Sequence, residues 1–286
     1  MSYFTAASLD EALKALREAE GKALVIAGAT DLFLKGMPPQ AVDIASLPEL
    51  GMIVEEQDYF TVGAAVTHAA AASSPLIRVK ATALAEACAA VGSPQVRNLG
   101  TIGGNLVNAA PAADAAVALS ALGAKAFLWD IDGRRWGEGL ENLYAGYNRS
   151  RIDSSREIVL NLIFKSCQFN EGSAFARFAS RKALSLPMVN TAARIRLENG
   201  VFTDVRLVAA PVKPAPTRLF KTEEALLGKK PNEETRHAVE ELASAEAEVR
   251  GSLLRCTAGY RRHLIGVLAG RVLMTAVRRA QGEEES

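Results

Sequence analysis

The stretch Ala23-Leu24-Val25-Ile26-Ala27-Gly28-Ala29-Thr30-Asp31 runs from an apolar segment straight into small residues followed by a hydroxyl and a carboxylate. Residues 22–27 read as a buried strand, and Gly28 to Asp31 as the turn it feeds. A second stretch, Thr101-Ile102-Gly103-Gly104-Asn105, again sets small residues beside hydroxyl and amide side chains. Such turns let backbone N–H groups point outward, and glycine lets the main chain approach a ligand closely. A diphosphate requires both when no metal neutralises it. One turn of this kind is commonplace; two within one domain-sized segment point to a dinucleotide. A simpler role for Thr30, Asp31, Thr101 and Asn105 is to cap the turns in which they sit, and the presence of both stretches favours ligand contact.

Upstream, Ser8-Leu9-Asp10-Glu11 has the form of a capping box, and Ala12, Leu13, Leu16 and Ala19 follow at helical spacing until Gly21. Downstream, Val42-Asp43-Ile44, Met52-Ile53-Val54 and Tyr59-Phe60-Thr61-Val62 read as short strands, and the alanine-rich residues 67–90 as two or three helices broken at Ser73-Ser74-Pro75. Gly92-Ser93-Pro94 ends that region, residues 95–108 carry the second turn as a loop, and residues 111–122 read as a helix. Asp132-Gly133 turns the strand 125–129 back on itself, and 157–164 is a further strand.

A second unit begins near Glu171-Gly172, with strands at 173–180, 191–197 and 201–209 and a hairpin turn at Asn199-Gly200. After Pro211, Pro214 and Pro216, residues 223–227, 233–248 and 260–279 read as helices.

The 286 residues, 49% hydrophobic, suffice for two domains. With 33 basic against 32 acidic residues the net charge is +1, which provides no pull toward nucleic acid or an anionic membrane. The opening Met1-Ser2-Tyr3-Phe4-Thr5 lacks the basic and apolar regions of a secretory leader. No apolar run approaches the ~20 residues of a membrane span, so a cytoplasmic protein is the expectation. Cys88, Cys167 and Cys256 lie too far apart for a zinc or iron–sulfur motif, and His68, His237 and His263 sit near no other ligand type; all six read as buried or idle.

Ala27-Gly28-Ala29-Thr30-Asp31 after a strand, and Arg97-Asn98 followed by Thr101-Ile102-Gly103-Gly104-Asn105, resemble the FAD-binding subunit of the molybdenum hydroxylases, the family containing xanthine dehydrogenase and aerobic carbon monoxide dehydrogenase. Pro111-Ala112-Ala113-Asp114, the segment from Ser173-Ala174-Phe175 to Ser180-Arg181-Lys182, and Tyr260-Arg261-Arg262-His263-Leu264 extend the resemblance over nearly the whole chain. The family's first motif is Ala-Gly-Gly-Thr-Asp, so Ala29 stands where a second glycine is usual. At a positive φ its Cβ would cost roughly 1 kcal/mol.

The resemblance implies an α+β fold: a two-lobed FAD-binding domain of the vanillyl-alcohol oxidase (PCMH) type over residues 1–166, with lobes of about 1–56 and 57–166, then a small domain of antiparallel sheet plus helices over 171–286, like the C-terminal domain of the carbon monoxide dehydrogenase flavoprotein. It implies FAD as cofactor. Ala27, Gly28, Ala29, Thr30, Asp31, Arg97, Asn98, Thr101, Ile102, Gly103, Gly104 and Asn105 would belong to its pyrophosphate site, and Asp114 would lie near the ribose or phosphates. Ile158 or Val159 would pack near the isoalloxazine, and Arg177 would supply a cation near the flavin. The chemistry belongs to the cofactor, and no catalytic triad or general base is expected.

In the resembled enzymes a molybdopterin-containing large subunit hydroxylates the substrate, a small subunit with two 2Fe-2S clusters relays electrons, and FAD delivers them to an acceptor. This chain could supply only the last station, which implies both partner subunits in a heterotrimer. Arg261, Arg262, Arg271, Arg278 and Arg279 on the last helix offer one docking surface, although a solvated face is the simpler reading. NAD, a quinone, oxygen and a ferredoxin are all compatible acceptors. A self-sufficient flavoprotein oxidase or reductase, and a non-catalytic nucleotide-binding assembly subunit, are the alternatives on the same fold.

Overall fold

The computed structural model describes residues 2–181, 183–251 and 256–283, so that Lys182, the end of one family segment, lies outside the described residues. In the first lobe β1 (Ser2–Thr5), α1 (Leu9–Glu18), β2 (Ala23–Ile26), α2 (Thr30–Lys35) and β3 (Gln40–Asp43) form a parallel sheet of order β1-β3-β2 with helical connections. Parallel neighbours demand such crossovers. The capping box is present: Ser8 Oγ accepts from Glu11 N at 3.2 Å, while Glu11 Oε2 accepts from Ala7 N at 2.6 Å. Ala12, Leu13 and Leu16 then bury their face of α1 against the sheet. The sequence reading has no counterpart for β1, all of whose residues are exposed and show no alternation.

The second lobe is built on an antiparallel sheet. β4 (Ile53–Glu56) and β5 (Tyr59–Gly63) lead into the short helices α3 (His68–Ser73), α4 (Pro75–Lys80), α5 (Thr82–Ala90), α6 (Pro94–Leu99), α7 (Ile102–Val107) and α8 (Asp114–Ala121). After these come β6 (Lys125–Asp130), β7 (Arg135–Gly139), a small hairpin of β8 (Tyr144–Gly146) and β9 (Arg149–Ser150), and β10 (Glu157–Lys165). The sheet order is β4-β5-β10-β6-β7. Phe60 and Phe164, with ring centroids 5.3 Å apart, anchor a core that takes in Leu84, Ile102 and Leu119. Ile158 belongs to the first lobe's core and its neighbour Val159 to the second's, so β10 joins the lobes through its two faces.

The C-terminal domain is an antiparallel sheet of β11 (Glu171–Phe178), β12 (Val189–Glu198), β13 (Val201–Ala210) and the two-residue β14 (Thr217–Arg218), in chain order, backed by α9 (Phe220–Leu226), α10 (Glu233–Glu246) and α11 (Ala258–Ala280). Asn199 and Gly200 both take positive φ, +52° and +75°, as a hairpin turn with the right-handed strand twist requires. Gly172 admits α11 onto the sheet: a Cβ there would fall 2.1 Å from the carbonyl oxygen of Ala276.

Alanines let α5 and α8 lie directly on this second sheet. Val117 and Ala121 meet Ala192, Val208 and Ala210, while Phe175 packs on Ala83, Ala87 and Ala118. Polar ties frame the contact: Glu86 Oε2 accepts from Phe175 N at 2.8 Å, and Arg279 pairs with Glu86 and donates to Ser173 O at 2.7 Å. The arginines of α11 therefore do not form one solvated face. Arg261 is buried and donates to Arg250 O, and Arg279 ties the domains; Arg262, Arg271 and Arg278 are exposed.

Candidate nucleotide-binding site

A cavity of about 270 Å³ opens where the first lobe meets the helices of the second. Its floor is the end of β2 and the start of α2, and Ala27, Gly28, Ala29, Thr30 and Asp31 all line it. Opposite stand Thr101, Gly104 and Asn105. The two stretches do not merely face each other. A Cβ on Gly28 would lie 1.9 Å from Leu99 O and 3.0 Å from Gly100 Cα, so only glycine lets the β2–α2 turn seat against the backbone before Thr101. A Cβ on Gly100 would come within 3.4 Å of His68 Cδ2 and 3.5 Å of Thr30 Oγ1, which gathers three elements at one point.

The second stretch is not the loop expected from its glycines. Thr101 is the N-cap of α7, its Oγ accepting from Gly104 N at 3.1 Å, and Asn105 N bonds back to Thr101 O. Gly103 lets α7 pack against Ala64, just past the end of β5, since a Cβ there would lie 2.7 Å from Ala64 O. The Thr101 hydroxyl thus serves a cap while its residue lines the cavity.

Ala29 adopts φ +50° as the N-cap of α2. With no side-chain acceptor to offer, it leaves the first-turn amides of Thr30, Asp31 and Leu32 without a capping partner. The other helices that border the cavity are capped, α3 by Thr67, α6 by Ser93 and α7 by Thr101. Restoring glycine relieves the left-handed strain, so Ala29→Gly is expected to raise unfolding free energy by about 1 kcal/mol, read by urea denaturation.

His68 was not foreseen as a site residue, because a lone histidine at the head of an alanine run carries no ligand signature. It lines the cavity at 2% exposure, and its Nδ1 makes no hydrogen bond. Asn105 Oδ1 is likewise buried without a partner. Burial, aided by the charge of Arg97, lowers the His68 pKa to about 4. The folded state therefore disfavours a proton that the unfolded chain takes up near pH 6.5. Stability is full above that pH and falls as the pH drops toward 4. Comparison with His68→Gln isolates this contribution: between pH 8 and pH 5 the variant is expected to gain about 2 kcal/mol on the unsubstituted protein in urea unfolding.

At the mouth, Asn108 Nδ2 donates to Asp31 Oδ2 at 3.1 Å and Lys35 Nζ donates to Asn108 Oδ1, which links α2 to α7. Lys35, Asn108, Asn148 and Ser154 line the cavity as well.

The remaining expected site residues are placed outside this cavity. Ile102 and Gly103 are buried beneath it; Asn98 is exposed, and Arg97 donates to Val91 O at 2.9 Å. Ile158 and Val159, 0% and 5% exposed, pack in the cores of the first and second lobes respectively. Asp114 and Arg177 pair with each other at 2.8 Å across the domain contact, so the Arg177 charge is already met.

The cavity's chemistry suits an anionic dinucleotide: uncapped amides, a neutral imidazole and an amide oxygen without protein partners, and a close backbone approach. Residues 1–164 match the family described as "FAD binding domain in molybdopterin dehydrogenase", and residues 174–276 match "CO dehydrogenase flavoprotein C-terminal domain". The chain is 28% identical to the xanthine dehydrogenase FAD-binding subunit of Escherichia coli O157:H7, covering 99% of this chain and 98% of that one. It is 31% identical to the nicotinate dehydrogenase FAD-subunit of Eubacterium barkeri over 79% of each. Its structure superposes with a TM-score of 0.89 and 26% identity on a chain of carbon monoxide dehydrogenase from Hydrogenophaga pseudoflava, covering 98% of both. The chain, with its two-domain α+β fold, belongs to the family of FAD-binding subunits of the molybdopterin dehydrogenases.

Proposed function

We propose that the protein is the FAD-bearing subunit of a heterotrimeric molybdenum hydroxylase, taking electrons from a 2Fe-2S subunit and passing them to an external acceptor. The observation that carries this reading is the convergence of the β2–α2 turn, Thr101, Gly104, Asn105 and His68 on one cavity in which His68 Nδ1 and Asn105 Oδ1 have no protein partner. Relatives named as FAD-binding subunits of larger dehydrogenases support the assembly. FAD, when bound, accepts and releases one or two electrons.

The chain's own task is placement. The amides of Thr30, Asp31 and Leu32, left without a capping side chain, would meet the diphosphate at the start of α2. His68, neutral at pH 7, would offer Nδ1 as donor or acceptor according to its tautomer, without adding a charge, and Asn105 Oδ1 would accept a hydroxyl or amino proton. The Lys35–Asn108–Asp31 bridge closes the mouth between α2 and α7.

The chain purified alone is expected to show flavin absorption or to take up FAD on titration. Recovered from its native host by an affinity tag, it is expected to bring one molybdopterin chain and one iron–sulfur chain. Substrate then bleaches the flavin bands only in that assembly. Steady turnover by the isolated chain would overturn the relay role.

A further inference from the structure

A second cavity, about 540 Å³ against about 270 Å³, lies between the two domains and shares no lining residue with the first. One wall is the end of α8 and the start of β6, with Gly123 and Lys125; the other is β13, β14 and residues 212–221. Gly123 has φ +72°, and a Cβ there would lie 2.7 Å from Arg206 Nη1, so the guanidinium is seated against this glycine.

Arg206 is half-buried, yet among the described residues its guanidinium makes no hydrogen bond or ion pair. Every other buried or half-buried arginine among the described residues donates to a carbonyl or a carboxylate, as Arg97, Arg177, Arg194 and Arg261 do. Burial and the neighbouring charge of Arg218 hold the Arg206 pKa below its ordinary value, against the pull of Asp204 and Glu223. Arg218 is itself held by Glu223 through bonds of 3.1 and 2.6 Å, so Glu223 forms its ion pair with Arg218 and not with Arg206. The exposed Lys125, Lys213 and Lys221 also line the cavity. Three acids line it too: Glu246 is already spent on Lys221 N, Thr222 N and Thr222 Oγ, while Glu141 and Glu248 are exposed. Val212, Pro216 and Leu219 supply an apolar floor, and the ring of Phe220 is 61% exposed beside it.

We infer that this interdomain cavity binds a small organic phosphate of nucleotide size, its phosphate on Arg206 with the lysines at the rim and its apolar body against Val212, Pro216 and Phe220. A guanidinium fork matches phosphate oxygens bidentately, and several cations around one anion favour phosphate over a single carboxylate. The site joins α8 of one domain to β13 of the other, so its ligand stiffens the domain contact.

The test uses the full chain saturated with FAD, so that its first cavity is filled. Isothermal titration with adenosine diphosphate is expected to give one further site with a dissociation constant below about 1 mM and a rise in melting temperature. Inorganic pyrophosphate is expected to bind more weakly, and adenosine not at all. Arg206→Gln should weaken adenosine diphosphate binding at least about tenfold with FAD affinity unchanged. No binding at about 1 mM by FAD-saturated protein, or binding that Arg206→Gln leaves intact, overturns the assignment. So does adenosine binding as tightly as the diphosphate.

Discussion

Gly28→Ala is expected to weaken FAD binding about a hundredfold or more, ~3 kcal/mol, in a flavin-fluorescence titration. The new methyl would lie 1.9 Å from Leu99 O and 2.6 Å from Leu99 C, inside the contact distance of any carbon. These are backbone atoms, so no rotamer change relieves the overlap. Either the β2–α2 turn or the segment before Thr101 must retreat, and the cavity depends on both being where they are. Because the contact joins the lobes at a surface cleft rather than inside a core, the change is expected to spare the far-ultraviolet circular dichroism. Gly51→Ala is the control: its Cβ would meet only Pro48 O and Leu47 O, at 3.7 and 4.0 Å, and FAD affinity should hold. Wild-type affinity in Gly28→Ala would mean that FAD does not need the close approach of the two stretches.

The parts of this arrangement that were legible in the sequence are those with local causes. The capping box at Ser8–Glu11, the Asn199-Gly200 hairpin and the strand feeding Gly28 each follow from residues within a few positions of one another. The helical form of Ile102–Val107 was not legible, because two glycines oppose a helix by propensity. What decides it is the packing of Gly103 on Ala64, some forty positions away in sequence. His68 was hidden for a related reason: the deficit of its Nδ1 exists only once the cavity walls enclose it. Arg279 read as a surface charge on an amphipathic helix, and only the position of α5 across the domain contact shows that it meets Glu86. Sites assembled from distant segments are therefore found by family motifs, whereas their electrostatics emerge from tertiary structure.

The domain contact provides the second large effect. Arg177 Nη1 donates to Asp114 Oδ2 at 2.8 Å and to Ala90 O at 2.6 Å, and Nη2 donates to Ser185 O, while Asn190 Nδ2 reaches Asp114 Oδ1 at 2.7 Å. Burial pushes the Asp114 carboxyl up to about 6 from an ordinary 3.8, against the downward pull of Arg177 and Asn190. The folded state thus holds a proton between those values that the unfolded chain has released. This contribution to stability is complete below pH 3.8 and is lost as the pH rises through about 6. Arg177→Met strips the carboxylate of its cation and leaves Ala90 O and Ser185 O without this donor. It is expected to cost about 3–5 kcal/mol in urea unfolding near pH 8. Its cost should shrink in acid, because a protonated Asp114 no longer needs a counter-charge. Asp114→Asn keeps the shape and leaves Arg177 two carbonyl partners, so about 1 kcal/mol is expected. The double variant should be more stable than the sum of the single costs predicts, since the buried charge and its missing partner disappear together. Additive costs, or an Arg177→Met penalty that does not change with pH, would mean that packing rather than charge holds the domains at this point.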